Sequence, residues 1–491
     1  NIDRKKQLNT NQSKHRYNHY NQSNHRRPTH SDHQQTDVKV TLGQRFPLTI
    51  KRLGINGEGI GYFKRKLVFV KGALPDEVIV AEVTGIKPSF LTAKIHRLKT
   101  PSKDRVKPRD AYAAEVGGFE LEHLAYPAQL AFKRDIMLQS LEKFQPKGFR
   151  NFQLKPTIGM DDPYGYRNKA QFQVRRDADG HVITGLYKER SHDLVDLKTC
   201  SVQMPATMHV MRGVVALMEE LDVSTYDEKR GTGLVRTVVV RVAEGTGEVQ
   251  VVFVTAKAPF PQEAEMVDRL STEFPEIVSI MQNINNDKTS LIWGEKTKLL
   301  AGKPQIREVL NGLQFNLSAR AFLQLNPYQT VRLYDEALKA LALSDNETVI
   351  DAYSGVGTIG LSIAHAAKEV RGMDVIADAV DDANENARIN HIDNVHYETG
   401  TAETIIPKWL NEGFEPDALI VDPPRTGLDD GLINAILTAK PKKFVYISCN
   451  PSTLARDLVK LTEQYHVNYI QSVDMMPQTA RCEAVVKFTR A

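Results

Sequence analysis

The stretch Thr348-Val349-Ile350-Asp351-Ala352-Tyr353-Ser354-Gly355-Val356-Gly357-Thr358 decides the fold. Thr348 to Ala352 is a short apolar run rich in β-branched residues, the pattern of a strand buried on both faces. Tyr353 to Gly357 is a tight glycine turn, and an apolar helix is expected over 359–367. Strand, turn and helix make the first unit of a parallel α/β sheet. The alternation continues outward, with strands expected at 370–375, 417–421 and 444–448 and a helix at 377–390. The expected fold class is α/β, with a doubly wound, Rossmann-like C-terminal domain over 319–491.

The turn itself points to a ligand. Gly355 and Gly357 let the backbone pass close to a bound molecule, and the N-terminus of the helix expected from Ile359 lies beside them. Asp374 ends the second strand, where a carboxylate can accept from both ribose hydroxyls of an adenosine. The turn lacks the third glycine of a dinucleotide loop and the lysine of a P-loop. A nucleoside without pyrophosphate fits better, and S-adenosylmethionine is the natural candidate.

Two later strand ends deliver chemistry to the same crevice. Asp422-Pro423-Pro424-Arg425 follows the third strand; the prolines stiffen the loop and remove two backbone donors. In amino-methylating enzymes the comparable tetrapeptide ends in an aromatic residue that stacks on the base, so Arg425 argues against that chemistry. Cys449 follows the fourth strand, in Ser448-Cys449-Asn450-Pro451. A free cysteine is usually a small buried hydrophobe, but at this strand end it reads as a nucleophile. Glu483 precedes a last apolar run; it reads either as a surface pair or as a base facing the crevice.

Ahead of this domain the chain changes character. The 491 residues are 41% hydrophobic and 25% charged, enough to build cores. The net charge of +4 is unevenly spread: residues 1–110 hold 23 Lys/Arg against 9 Asp/Glu, leaving 41 against 51 behind them. A basic front implies a polyanionic partner. Residues 1–41 read as a disordered basic tail, whose five histidines are a solvated polar stretch rather than a metal site. Short strands and Gly/Pro turns over 42–99 predict a small OB-like β-barrel, with Lys64, Arg65, Lys66, Lys87 and Lys94 for phosphates and Tyr62, Phe63 and Phe90 for bases. Gly57, Gly59 and Gly61 read as turn glycines. Residues 99–110 look like a linker, and 110–318 predict a central α+β domain whose helix over 126–144 packs on the C-terminal domain. No apolar run is long enough to span a membrane. Three cysteines (Cys200, Cys449, Cys482) cannot make a disulfide framework, which points to a reducing, cytoplasmic setting.

Together these segments carry a resemblance. Phe322-Leu323-Gln324-Leu325-Asn326, the Asp351–Gly357 turn, Asp422 to Arg425, Ser448 to Pro451 with Thr453-Leu454-Ala455-Arg456-Asp457, and Pro477 to Glu483 resemble the RNA uracil-5-methyltransferase family. The barrel resembles the TRAM RNA-binding domain, and Tyr166-Arg167 and Gln282-Asn283-Ile284-Asn285 are similar to the family's central domain. The match covers about 42–491, and a TRAM-bearing member looks more like the 23S ribosomal RNA enzymes than the tRNA enzymes.

The resemblance implies methyl transfer from S-adenosylmethionine to C5 of a uridine in 23S ribosomal RNA. Cys449 would add to C6, and Glu483 would be the general base. Gln324, Tyr353, Gly355, Gly357, Thr358, Asp374 and Asp422 would bind the cofactor; Phe322, Gln324, Asp422 and Arg425 would bind the substrate. It implies a cytoplasmic monomer needing no protein partner. A tRNA substrate and cytosine-5 methylation are the alternatives. Two departures stand out. Where ribosomal enzymes often carry Cys-Gly-Gly-Cys and bind an iron–sulfur cluster, this chain has Val116-Gly117-Gly118-Phe119, with only Cys200 resembling a surviving ligand, so no cluster and no metal are expected. Arg481 stands where the family has a histidine two residues before the base.

Overall fold

In the computed structural model, which describes residues 39–287 and 291–491, the front of the chain alternates inward and outward with period two, as in Arg45–Thr49. The tail expected over 1–41 lies, up to residue 38, outside the described residues. Six strands form one sheet in the order Arg45–Thr49, Val78–Ile86, Phe90–Thr100, Lys66–Val70, Gly59–Phe63, Arg52–Leu53. Phe46 stacks on Phe63 at 3.7 Å, joining the first and fifth strands of that order and curling the sheet on itself. Of the three front glycines only Gly57 is a turn residue, at φ +84°. Gly59 and Gly61 lie inside a strand, because a Cβ there would stand 2.7 Å from the Ala73 carbonyl oxygen and 2.8 Å from that of Thr49.

The central sheet has seven strands: Leu194–Asp196, Val182–Tyr187, Lys169–Arg176, Val235–Val242, Val249–Thr255, Ile277–Ile284 and Lys296–Gly302. The helices Pro205–Glu220 and Glu263–Glu273 pack on it. Val116, Phe119 and Cys200 are buried in the core of this unit, with Tyr112 edge-on to Phe119. Among the described residues no group of three His, Cys, Asp or Glu could hold a metal ion.

The third sheet has eight strands, in the order Val395–Thr399, Glu369–Asp374, Thr348–Ala352, Ala418–Val421, Lys443–Ser448, Glu483–Arg490, Tyr465–Val473, Gln153–Ile158. The first five are parallel and Glu483–Arg490 runs against them. Alternate residues feed two cores: Ile350, Val421 and Tyr446 face one side, and Val349, Ile420 and Val445 the other. Helices on both faces explain why these strands read as unbroken apolar runs. The helix expected over 359–367 is shorter, Thr358–Ile363 followed by one 3-10 turn.

One boundary differs from the sequence expectation. The helix Tyr126–Phe144 packs on the helix Pro451–Leu461, and the strand after it, Gln153–Ile158, pairs in parallel with Tyr465–Val473. Residues 126–158 thus complete the catalytic sheet rather than the central one. The cause is a buried polar knot. Lys133 and Asp474 are both fully buried and ion-paired, and Lys133 also donates to the Met476 carbonyl (3.0 Å). The Tyr126 hydroxyl donates to Asp474 (2.8 Å), and Gln129 and Gln478 exchange two hydrogen bonds (2.9 and 3.0 Å). From other elements, Gln329 donates to the Asp474 carbonyl, Asn326 to that of Met475 and Tyr166 to that of Pro477. The loop leading into Glu483 is therefore held from the helix Tyr126–Phe144, the central domain and the helix Pro327–Leu341 at once.

Removing one member of a buried ion pair strands the other. Lys133→Met is expected to destabilise the protein by about 3–5 kcal/mol, and Tyr126→Phe by about 1 kcal/mol. Denaturant midpoints at unchanged slope check both; equal shifts would show that the ion pair is not the dominant tie.

Candidate active site

The candidate residues lie along one edge of the eight-stranded sheet. The parallel strands end at Asp374, Ala352, Val421 and Ser448, and the antiparallel neighbour begins there at Glu483. Asp374, Tyr353, Asp422, Cys449 and Glu483 follow one another in strand order. Thr348–Ala352 lies between Glu369–Asp374 and Ala418–Val421, so the chain runs outward in both directions from it. Ligands bind open α/β sheets at such a switch point, beyond the strands' carboxyl ends.

The first turn is shaped for a nucleoside. Tyr353, Gly355 and Gly357 all have positive φ (64°, 53° and 85°), and Gly357 caps the helix Thr358–Ile363. The Gly355 N–H donates to one Asp374 oxygen and the Ile376 N–H to the other, both at 3.0 Å. These bonds orient the carboxylate and leave lone pairs on each oxygen for ribose hydroxyls. Among the described residues no atom lies within 4 Å of where a Gly355 Cβ would be. Ser354 Oγ and Asp351 Oδ1 are buried without a hydrogen-bond partner among the described residues. Burial raises the Asp351 pKa to about 8, helped by Asp422 and Asp374 and opposed by the Gly360 N–H. The residues present thus fit an adenosine-type cofactor. Thr358 differs from expectation: its hydroxyl is buried against that of Tyr334 at 2.9 Å, leaving its backbone at the helix start.

Register brings the thiol and the base together. The last bonded pair of the two strands is Ser448 with Ala484, so one step further sets Cys449 opposite Glu483. Gln324 Nε2 donates to Glu483 at 3.4 Å. Burial raises the Glu483 pKa to about 8, with Asp422 adding and Gln324 opposing. Burial likewise takes Asp422 to about 7. The half-buried Cys449 thiol rises to about 11, through burial and then Glu483 and Asp422, with Arg425 pulling it down. Such crowding of groups with displaced pKa values along one crevice is the mark of a reactive site. Cys482, one residue before the base, is buried and donates to the Lys133 carbonyl (3.3 Å), a packing role.

The Asp422 loop is tied from the next helix. Asn450 caps Pro451–Leu461 and, with Thr453, donates to the Arg425 carbonyl (2.9 and 3.2 Å). Arg456 donates to the Thr426 carbonyl, and the buried Asp457 accepts from the Leu428 N–H and the Tyr446 hydroxyl (both 2.8 Å). This is the work of the Thr453–Asp457 motif. Arg425 is exposed, and Phe322 is 66% exposed. Sequence reasoning missed Ser354 as a pocket group and the exposed Val375 and Ile376 beside Asp374. An apolar residue after a strand carries no signal of its own until the fold shows that nothing covers it.

The chain is similar to known proteins along most of its length. Residues 292–491 match the tRNA (Uracil-5-)-methyltransferase family model, and residues 39–96 match the TRAM domain. A Lactiplantibacillus plantarum protein named "Uncharacterized RNA methyltransferase" is 63% identical, over 98% of this chain and 99% of its own. An Enterococcus faecalis protein of the same name is 55% identical over 93% and 100%. The solved tRNA (uracil-54, C5)-methyltransferase of Pyrococcus abyssi, in complex with S-adenosyl-L-homocysteine, superposes with a TM-score of 0.72 at 28% identity, over 90% of this chain and all of that one. A chain with these matches end to end, and with a thiol facing a carboxylate beside a nucleoside turn, belongs to the RNA uracil-5-methyltransferase family.

Proposed function

We propose that this enzyme methylates C5 of a uridine in 23S ribosomal RNA, with S-adenosylmethionine as donor, through a covalent adduct between Cys449 and C6 of the base. The observation that carries the mechanism is the opposition of Cys449 and Glu483 across neighbouring strands, with Asp422 between them and the nucleoside turn.

Uracil C5 is a poor nucleophile. Addition of the Cys449 thiolate to C6 breaks the C5–C6 π bond and makes C5 enolate-like. The bound cofactor supplies an electrophilic methyl group. Glu483 then takes the C5 proton, the electron pair re-forms the double bond, and the thiolate leaves. A pKa near 8 suits that proton transfer. Asp374 holds the ribose of the cofactor, Tyr353, Gly355, Gly357 and the start of the Thr358 helix frame it, and Val375 and Ile376 offer an apolar platform for its adenine. Gln324 bridges the cofactor and the base pocket through its bond to Glu483. Asp422 holds the base edge, Phe322 lines the uracil pocket, and Arg425 contacts the substrate strand. The base must leave its stack to reach Cys449. The enzyme acts as a monomer in the cytoplasm, where its RNA is; no helix among the described residues is long and apolar enough to cross a membrane.

The TRAM match supports ribosomal RNA. A tRNA substrate is the second reading, favoured by the likeness to the archaeal tRNA enzyme. Mass-spectrometric mapping of both RNAs from a strain lacking the gene separates them: loss of 5-methyluridine from 23S RNA is expected, and loss from tRNA alone would reassign the substrate. A missing 5-methylcytidine would reassign the base.

Cys449→Ala is expected to abolish methyl transfer to a uridine-containing RNA; retained turnover would exclude the covalent route. Glu483→Gln is expected to accumulate a protein–RNA adduct visible on a denaturing gel. Because the Glu483 charge raises the thiol, its removal lowers the Cys449 pKa. Alkylation of Cys449 between about pH 8 and 11 is therefore expected to be faster in Glu483→Gln than in the parent. Equal alkylation rates would mean that the two groups do not sense each other.

A further inference from the structure

A cleft of about 490 Å³ opens beside the nucleophile, lined by Cys449, Arg425, Arg481, Glu120 and the Ile55–Asn56 turn of the barrel. Arg425 and Arg481 are both exposed, and neither guanidinium has a hydrogen-bond or ion-pair partner among the described residues. The carboxylate in the cleft forms no ion pair with either of them among the described residues, although its charge is felt by Arg481. Glu120 is spent on backbone, accepting from the Gly118 N–H (2.7 Å) and the Ala480 N–H (3.2 Å). Although the residue as a whole is exposed, partial desolvation at the cleft wall and the like charge of Arg425 hold Arg481 below the usual arginine range; Glu120 pulls the other way and Arg167 adds a smaller push. Both arginines are also fixed in place. The Arg425 carbonyl is gripped by Asn450 and Thr453, and the Arg481 N–H donates to Thr479 Oγ1 (3.2 Å) at the end of the loop that the Lys133 knot anchors. Unpaired, converging guanidiniums on fixed backbone repel each other until an anion lies between them.

The position selects the anion. The nucleoside turn is two strands away from Cys449, on the Asp374 side, whereas this cleft opens toward the basic barrel. Lys51 and Arg52 precede the turn that lines it. A base drawn in to Cys449 brings its own backbone to the rim.

We propose that Arg425 and Arg481 together clamp one phosphodiester of the substrate RNA, next to the nucleotide whose base enters the Cys449 cleft, with Arg167 as the neighbouring cation. The clamp rests on the assignment of Cys449 as a nucleophile toward RNA. It gives Arg481, which stands where the family carries a histidine, a positioning role for this chain.

The test is binding of a uridine-containing RNA fragment to the full chain, with S-adenosylhomocysteine present to prevent turnover, over a salt series. Arg481→Ala and Arg425→Ala are each expected to weaken binding roughly tenfold. The double variant should flatten the slope of log affinity against log salt by about 0.7, the value for one phosphate of a single strand, and each single variant by a part of that. The double variant should lose less than the sum of the single losses, because both guanidiniums grip one phosphate. Arg388→Ala, which only breaks a surface pair with Glu385, should match the parent. S-adenosylhomocysteine affinity should stay unchanged in every variant. An unchanged salt slope in Arg481→Ala, additive losses in the double variant, or weakened cofactor binding would each overturn the clamp. Nucleoside analysis of RNA methylated by the parent protein is read separately: no 5-methyluridine would overturn the proposed activity, whatever the salt slopes show.

Discussion

The buried pair of Lys133 and Asp474 is the constraint on which the catalytic geometry depends. Neither charge meets water, so each is tolerable only because the other is there. The pair ties a helix from the first third of the chain to the loop between the last two strands. That loop runs directly into Glu483 and carries Arg481 and Cys482. Its carbonyls are also taken by Tyr166, Asn326 and Gln329, which come from two further parts of the chain. The Glu483 carboxylate thus sits on a backbone that is held from several sides. Here the rigidity comes from buried polar bonds, which have far narrower geometry than apolar contacts.

Along the sheet edge the protein gathers more acid than it can ionise at neutrality. Asp351, Asp422 and Glu483 are all pushed toward or above neutrality, by burial first and by one another second. The same crowding raises the Cys449 thiol, and Arg425 is the cation that works against it. A pocket of this kind suits a positively charged methyl donor and a neutral base. The rim, by contrast, carries the unpaired arginines. The near-neutral total charge thus conceals a separation at the scale of a few residues: acid inside the crevice, cation at its rim.

Much was legible because parallel α/β sheets write themselves into sequence. Strands covered on both faces must be apolar throughout, and a turn that bends sharply at a ligand must use glycine, so Thr348 to Thr358 exposed both fold and cofactor class. Asp374, Asp422 and Cys449 were legible as strand ends. The contact of the Thr358 hydroxyl with Tyr334, a residue from a preceding helix, is one that no local pattern announces. Gly59 and Gly61 looked like turn residues, yet their freedom serves close backbone crossings within the curled sheet. The packing of the helix over 126–144 on the C-terminal domain was expected, but the strand Gln153–Ile158 was not, because it pairs with one more than 300 residues later.

By itself the sequence determined the class of sheet, the glycine turn after its first strand, the thiol at a strand end and the basic character of the front, since each depends on local periodicity or composition. Only the tertiary structure decided which residues face one another. Cys449 meets Glu483 through strand register, Lys133 meets Asp474 across most of the chain, and Arg425 and Arg481 converge on one cleft with the barrel turn. These are contacts between segments far apart in sequence. Their partners are chosen by packing and by the need to satisfy buried charge, and no window of consecutive residues contains that information.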